Sequence, residues 1–499
     1  MASVIGIDLG TSFSAIATID EAGRPVIVAN LDGSNITPSC VVATGADVME
    51  VGEFARRQWG NAPDTAAARF KRDMGTSTTH SISGREFTPT QLSSFVLKKL
   101  LSDAEQVLGN VSDAVVTIPA NFANEAREAT MSAAKAAGLN VRFIINEPTA
   151  AALYYAYQSG QQLNGTYAIY DLGGGTFDIS IIKVRNQDVS VLATNGVVRL
   201  GGDDFDTALQ ALVARKFRNT FGKELDLSDF TKNQAEEEKK SLSARKQITA
   251  RVARQLVDIS REEFEESISA LITQAEMLCE ATIEEAGVAP SDINGVFLVG
   301  GSTRVPLVVE SVARAFRQQP ISAGNVDEVV ALGAALYAAY KGDQNNLTPL
   351  QKAAITRLKV NETTSKSFGT IAVEFDSARD KSVARNTVLI RKGERIPFSV
   401  TESFYTMHDG QRAVSCKVTE STAPETDPRF VKIIWEGNLE LPPDRPASQE
   451  IQVTFAYDEN QIMKCSFLDV GTGRESRINL SMTDAANDDA KIIEQFLVE

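Results

Sequence analysis

Ala168-Ile169-Tyr170-Asp171-Leu172-Gly173-Gly174-Gly175-Thr176-Phe177-Asp178 is the stretch on which the fold turns. An apolar run reaches a carboxylate, then three glycines, and a second β-prone run starts at Phe177. The same layout stands earlier, in Ile5-Gly6-Ile7-Asp8-Leu9-Gly10-Thr11-Ser12-Phe13. Each is a strand, Asp-Leu-Gly, a turn of small residues and a returning strand. One such unit is most often only a turn after a strand. Two of them predict two similar halves facing each other. Backbone N–H groups in such turns reach phosphate oxygens, glycine lets the backbone come close, and Thr or Ser hydroxyls add donors. A facing pair grips a polyphosphate from both sides and leaves Asp8 and Asp171 to hold a hydrated Mg²⁺.

Outward from these units, short apolar strands alternate with amphipathic helices through the first two-thirds of the chain, which is α/β patterning. Strands are expected at Val4–Ile7, Ser14–Thr18, Val115–Ile118, Arg142–Ile145, Ala168–Tyr170, Ile179–Val184 and Gly295–Val299. Thr88-Pro89-Thr90-Gln91 reads as a capping box opening a helix that buries Leu92, Phe95, Val96 and Leu100 and stops at Gly109. A second helix is expected from about Asn124 to Gly138. Residues 343–366 are polar and read as a connector. From Phe368 to Leu480 strands follow one another: Thr370–Glu374, Thr387–Arg391, Ala413–Thr419, Val431–Trp435, Ile451–Ala456 and Ile462–Leu468. That is an all-β domain of sandwich type. The domains expected are therefore 1–342, a linker 343–366, a β domain 367–481, and a short helical stub at 482–499.

Composition narrows the function. Lys and Arg total 50 against 65 acidic residues, a net charge of −15. Nucleic acids and anionic membranes both need clustered positive charge, so neither is an expected partner. No apolar run approaches the ~18 residues of a membrane span. Met1 to Asp8 lacks the basic start of a signal peptide. Cys40, Cys279, Cys416 and Cys465 are scattered, as core thiols of a reducing, cytoplasmic compartment are. His80 and His408 are too few for a His-rich metal site or a histidine triad. Gly222-Lys223-Glu224 fails as a Walker loop, and no G-x-G-x-x-G opens a helix. A third glycine element, Val296-Phe297-Leu298-Val299-Gly300-Gly301-Ser302-Thr303-Arg304, lets a flat ring such as a nucleoside pack against backbone.

The order of motifs resembles the heat shock protein 70 (DnaK-type) chaperone family. The matching pieces are Gly6 to Thr11, Phe70-Lys71-Arg72, Pro119-Ala120-Asn121-Phe122, Ile145-Asn146-Glu147-Pro148-Thr149-Ala150-Ala151, Asp171 to Asp178, Leu200 to Asp206 and Gly300 to Pro306. The resemblance implies an actin-like two-lobed ATPase joined to a β-sandwich that binds extended peptides. It implies ATP/ADP and Mg²⁺ as cofactors, with K⁺ beside them. Unfolded polypeptides, a J-domain co-chaperone and a nucleotide-exchange factor are the implied partners. Asp8, Lys71, Glu147, Asp171 and Thr176 take the catalytic roles, with Lys71 at the γ-phosphate and the carboxylates organising the waters of the metal. Gly10, Thr11, Ser12, Phe13, Gly173, Gly174, Gly175, Gly201 and Gly202 surround the phosphates. Glu236, Lys239, Lys240 and Ser243, spaced for one helix face, border the nucleoside with Gly300, Gly301, Ser302, Arg304 and Asp327.

The resemblance loosens toward the C-terminus. The family's Leu-rich linker is reduced to Leu358-Lys359-Val360, and the segment between Gly75 and Phe87 is short. Counting from Gln411-Arg412-Ala413-Val414 puts Val373, Phe404, Met407, Val414 and Cys416 along a peptide groove. The resemblance puts Pro119 and Arg127 on the relay between nucleotide and peptide sites. With 482–499 too short for the family's helical lid, the groove is expected to lack one. Two other functions remain open at this point: a small-metabolite kinase of the actin superfamily, and a regulatory relative that binds ATP without a chaperone cycle.

Overall fold

The computed structural model describes residues 3–159, 164–185, 188–355, 359–361, 363–376, 380–458, 463–479 and 489–499. It divides into two units: Met1–Val360 with Thr483–Glu499, and Asn361–Met482.

The first unit holds two six-stranded sheets. In one, Ser3–Asp8 pairs antiparallel with Phe13–Ile19 and parallel with Val111–Ile118. In the other, Gly165–Leu172 pairs antiparallel with Phe177–Arg185 and parallel with Ile293–Val299. The repeat seen in the sequence is thus a repeat of pairing: each Asp-Leu-Gly hairpin has a parallel strand on its other flank. Asp8 and Asp171 therefore stand at the carboxyl ends of parallel neighbours, where open α/β sheets bind ligands.

Helices Glu147–Gln158 and Val329–Lys341 join the two sheets through one core that takes Ala17 and Ile145 from the first and Ile169 and Phe297 from the second. Small residues let them come close. A methyl at Gly333 would lie 1.8 Å from the Ala150 carbonyl oxygen, and one at Gly6 would lie 2.2 Å from the Ala335 nitrogen. Alanine or any larger residue at either position would force the backbones apart.

Local signals place the other elements. Helix Pro89–Leu108 opens with the capping box: the Gln91 N–H donates to Thr88 Oγ1 at 3.2 Å, and the Thr88 N–H to Gln91 Oε1 at 3.0 Å. The expected Asn124–Gly138 helix is Asn124–Ala136. The connector is more structured than its polarity suggests. Helix Pro349–Ile355 buries Ile355, and Gln351 Nε2 donates to the Ile19 and Asp20 carbonyls at 3.1 Å. Lys359–Asn361 then adds a strand beside Asp188–Val197, while Leu358 lies outside the described residues.

The second unit is two four-stranded sheets sharing one core that includes Ile390, Cys416 and Val418 from one sheet and Phe455, Met463 and Phe467 from the other. Ile451, Val453, Phe455 and Tyr457 are buried in alternation, the period-2 signature of a half-buried strand. Two strands were not expected, Phe398–Tyr405 and Arg474–Asn479. Of the expected Ile462–Leu468 strand, Ile462 is outside the described residues and the rest falls in Met463–Asp469.

The helical stub expected at 482–499 takes a different form. Residues 482–488 are outside the description; 489–493 make a helical turn, and Leu497–Val498 is a strand paired parallel to Val48–Val51 of the first unit. Two apolar anchors in this segment, Ile493 and Phe496, are buried in the first unit's core.

Candidate functional site

A cavity of about 370 Å³ opens where the two Asp-Leu-Gly hairpins approach each other in the first unit. Its floor is ionic. Lys71, on the short turn Phe70–Asp73, and Glu147, the first residue of its helix, are both buried, and Lys71 Nζ donates to Glu147 Oε1 at 2.7 Å. Asp8 accepts from Thr117 Oγ1 at 3.1 Å. Burial, then the Glu147 charge, raises the Asp8 carboxyl to about 7 against the pull of Lys71. Burial, then Glu147, Asp178 and Asp8, holds Asp171 well above the usual carboxylate range. Burial alone would lower Lys71, but Glu147, Asp8 and Asp171 together raise it and keep it charged.

Three carboxylates face one lysine here. The raised affinity of Asp8 and Asp171 for protons marks a cluster of hard oxygen donors where a divalent cation such as Mg²⁺ would stabilise the ionised form in the protons' place. Among the described residues, no group of three or more His, Cys, Asp or Glu is placed to hold an ion directly. An ion at Asp8 and Asp171 would keep most of its water, as Mg²⁺ commonly does.

The walls are the glycine turns. The Gly10 N–H donates to Ser14 Oγ at 3.1 Å, and Ser39 Oγ donates to the Gly10 carbonyl at 2.8 Å. Ser302 Oγ donates to the Gly173 carbonyl at 2.8 Å, and the Asp203 N–H to the Gly174 carbonyl at 2.8 Å. Gly10, Thr11, Ser12, Phe13, Gly173, Gly174, Thr176 and Gly202 line the cavity. Gly175 and Gly201 stand behind the wall. A methyl on Gly175 would lie 2.4 Å from Thr11 Cγ2, and one on Gly201 would lie 2.7 Å from the Gly174 carbonyl carbon. Their smallness lets the turns close; neither is a lining residue.

The rim belongs to helix Lys232–Ala244, opened by a capping box at Thr231 and Gln234. Glu236, Lys239, Lys240 and Ser243 all reach the cavity from one face, as the helical spacing requires. Lys239 Nζ donates to the Gly202 carbonyl at 2.9 Å and pairs with Asp206 at 2.7 Å. Opposite them are Gly300, Gly301, Ser302, Arg304 and Asp327. Gly300 has φ +83°, and a methyl there would meet the Leu172 carbonyl oxygen at 2.4 Å, so this turn needs glycine on both counts. Arg304 pairs with Asp327 at 3.0 Å.

The family model for Hsp70 protein matches residues 4–83 and 76–497. The chain belongs to the Hsp70 family. Members are in general chaperones with ATPase activity that bind ATP or ADP with Mg²⁺, unfolded polypeptides and co-chaperones. No helix among the described residues is long and apolar enough to cross a membrane.

Several charged residues in and around the cavity of this Hsp70 chain were given no role from the sequence. Arg69, in the left-handed region at φ 64°, pairs with Asp203 and stacks on the Trp59 ring at 4.2 Å. Arg72 pairs with Asp204 at 2.7 Å. Arg56, on helix Glu53–Asn61, bridges to Glu236 at 2.7 Å. Burial would raise Glu236, but Lys240 and Arg56 bring it down to about 2. Asp206 is pushed up to about 6 by burial, against the pull of Lys239. Arg69 adjoins a quoted motif and Asp203 and Asp206 lie inside one, so all three were legible there; Arg56 carried no local signal.

Arg127 is buried beside the floor. It donates to the Phe122 carbonyl at 3.1 Å and the Ala120 carbonyl at 2.9 Å, and reaches Asn146 Oδ1, next to Glu147, at 3.4 Å. The Phe122 N–H donates to the Pro119 carbonyl at 3.2 Å, which ties Pro119 to the same turn.

In the second unit, Val373 and Met407 are exposed, and so are Phe375 and Tyr405, which sequence reasoning passed over. Phe404 and Val414 are half-buried against the core. Cys416 is corrected: it is 0% exposed inside the core shared by the two sheets, out of reach of a bound peptide.

Proposed function

We propose that this Hsp70 chain is an ATP-dependent, DnaK-type chaperone whose ATP hydrolysis changes its affinity for extended apolar peptides. In this reading residues 1–342 are an actin-like two-lobed ATPase, 343–366 the linker and 367–481 a peptide-binding β-sandwich. The observation that carries it is the meeting of both Asp-Leu-Gly hairpins at one cavity whose floor is Lys71 among Asp8, Glu147 and Asp171.

Phosphoryl transfer to water asks a protein for positioning and charge stabilisation more than for covalent chemistry. Mg²⁺, when bound, supplies neutralisation of the phosphate charge. Asp8 and Asp171 would hold its water shell, with Glu147 behind them. Lys71, fixed by Glu147, presents a permanent cation to the γ-phosphate and the attacking water. Thr11 and Thr176 offer hydroxyl donors on opposite walls. Glu236, Lys239, Lys240 and Ser243 would take the ribose and base edges, and the Gly300-Gly301 turn the flat face of the base. K⁺, J-domain and exchange-factor partners and a cytoplasmic setting belong to the same reading.

Val373, Phe404, Met407 and Val414 would line the peptide groove, with Phe375 and Tyr405 nearby in sequence. The test is two-part: Mg²⁺-dependent release of phosphate from ATP, and the affinity of a fluorescent apolar peptide with ATP and with ADP. Coupling between such sites is typically about 1–3 kcal/mol, or 5–150-fold in affinity. Equal affinities in the two nucleotide states would refute coupled function.

A further inference from the structure

Strand Val48–Val51 and the rings of Phe87 and Phe95 meet residues 489–499 on one face of the first unit. Strand Val48–Val51 pairs with Cys40–Gly45 on one side, and its other edge would be a bare row of N–H and C=O groups. Residues 489–499 cover that edge. The Leu497 N–H donates to the Asp47 carbonyl, the Glu499 N–H to the Met49 carbonyl and the Val51 N–H to the Glu499 carbonyl, each at 2.9 Å.

Ahead of this strand the segment makes a helical turn whose Ile493 and Phe496, three apart and on one face, are 1% and 3% exposed. The Phe496 ring stands edge-on to Phe95 at 5.3 Å and to Phe87 at 5.8 Å, and the Arg85 guanidinium lies over it at 4.8 Å. Both ends of the turn are held. Gln91 Nε2 donates to Asp489 Oδ1 at 3.0 Å, and Lys98 Nζ donates to the carbonyls of Ile493 at 3.4 Å and Phe496 at 3.1 Å. A cation on the last carbonyls of a turn is the favourable arrangement.

We propose that this face is a peptide-binding site distinct from the nucleotide cavity and from the second unit. Its ligand is the chain's own Asp489–Glu499 segment, bound in cis by strand addition. The recognised pattern is a helical turn with two apolar anchors at i and i+3, followed by an extended strand; main-chain bonds give affinity and the aromatic pocket gives specificity. The first unit takes residues from both sides of the second in sequence, Met1–Val360 and Thr483–Glu499, so the segment closes the first unit's own fold.

The test uses the full chain. Phe496→Asp places a charge in the aromatic pocket, and hydrogen exchange at the Val51 amide reports the strand. Protection there is expected to fall by about 100-fold or more, while the Val453 amide in the second unit is unchanged. A fluorescent peptide with the sequence of residues 489–499 should bind the Phe496→Asp protein and not the wild type, where the site is filled. Equal Val51 protection in both proteins, or no peptide binding to the variant, would overturn the proposal. Should Phe496→Asp fail to fold, a Val48→Cys, Leu497→Cys pair decides, since these residues are partners in the parallel register. Oxidation should link them within one chain. No link, or a link between two chains, would overturn the cis site, the latter showing the segment seated on a second copy.

Discussion

Lys71→Ala tests the ionic floor most directly. In the wild type Lys71 is 4% exposed and 2.7 Å from Glu147, and it also draws down the raised Asp8. Alanine leaves Asp8, Glu147 and Asp171 buried with no cation among them. Breaking one side of a buried, hydrogen-bonded ion pair costs about 3–5 kcal/mol, chiefly because the surviving charge stays uncompensated. Part of that cost can be relieved by protonation. Asp8 sits at about 7 and Asp171 well above the carboxylate range even with Lys71 present, and both rise further without it. A carboxyl raised in the folded state binds protons more tightly there than in the unfolded chain, so stability falls as pH increases through the folded value. The wild-type-minus-variant gap should therefore widen from pH 6 to pH 8. Urea denaturation of the nucleotide-free protein across that range measures it. Mg²⁺ with ADP at 100 times its Kd should add about 2.7 kcal/mol to the folded state of both proteins and so leave the gap between them in place. Single-turnover hydrolysis should slow by roughly 10²–10⁴-fold, the range for loss of a positioned polar group, with nucleotide binding nearly intact. A variant as stable as wild type at pH 8, or one that hydrolyses ATP at the wild-type rate, would refute this account.

Glu236→Gln should cost stability by an amount that is constant from about pH 8 to pH 5, because Lys240 and Arg56 hold Glu236 down to about 2. A depressed carboxyl gives its stability above the unfolded value of about 4.5 and loses it as pH falls toward the folded one, so the cost should shrink only below about pH 4.5; denaturation curves showing it fade by pH 6 would contradict the Arg56 bridge. Gly333→Ala should destabilise by about 3 kcal/mol or more, since its methyl would meet the Ala150 carbonyl oxygen at 1.8 Å, and an unchanged denaturation midpoint would show that the helices do not cross this closely. In the second unit, Met407→Ser should weaken peptide binding without altering stability, while Cys416→Ser should do the reverse, costing about 1–3 kcal/mol for burying a hydroxyl where the thiol donates to the Val414 carbonyl at 3.5 Å. Peptide titration and urea unfolding on both variants separate the two positions.

What the sequence disclosed, and what it hid, follows from the range of each signal. The Asp-Leu-Gly hairpins, the Thr88 capping box and the Gly300 turn are local: a few adjacent residues dictate the backbone, so they can be read in place. The cavity could be assembled on paper because most of its residues come from such turns. Lys71 was legible only through its motif, since a lysine in an exposed turn has the same neighbours in sequence. The Arg56–Glu236 bridge joins two charged helix faces about 180 residues apart, each reading alone as a solvated surface. Strand Phe398–Tyr405 was missed because it is an edge strand with Ser399, Thr401, Glu402 and Ser403 facing outward, which blurs the alternation. Cys416 was misplaced for a different reason. Period-2 counting put it on the same face as Val414, as it is, but counting does not say which face is the core.

The Phe496 contact has a consequence in time as well as in space. Its pocket, between Phe87 and Phe95, is made about 400 residues before Phe496 itself, and at 5–20 residues per second a ribosome needs roughly 20–80 s to cover that distance. Throughout that interval the nascent first unit exposes an aromatic hollow beside an unpaired strand edge, the combination most prone to mispairing with neighbouring chains. The second unit, contiguous in sequence, is complete before the first one can be. For this chain the order of synthesis is therefore not the order of domain completion, and its yield of native protein should depend on how well that edge is shielded while translation runs.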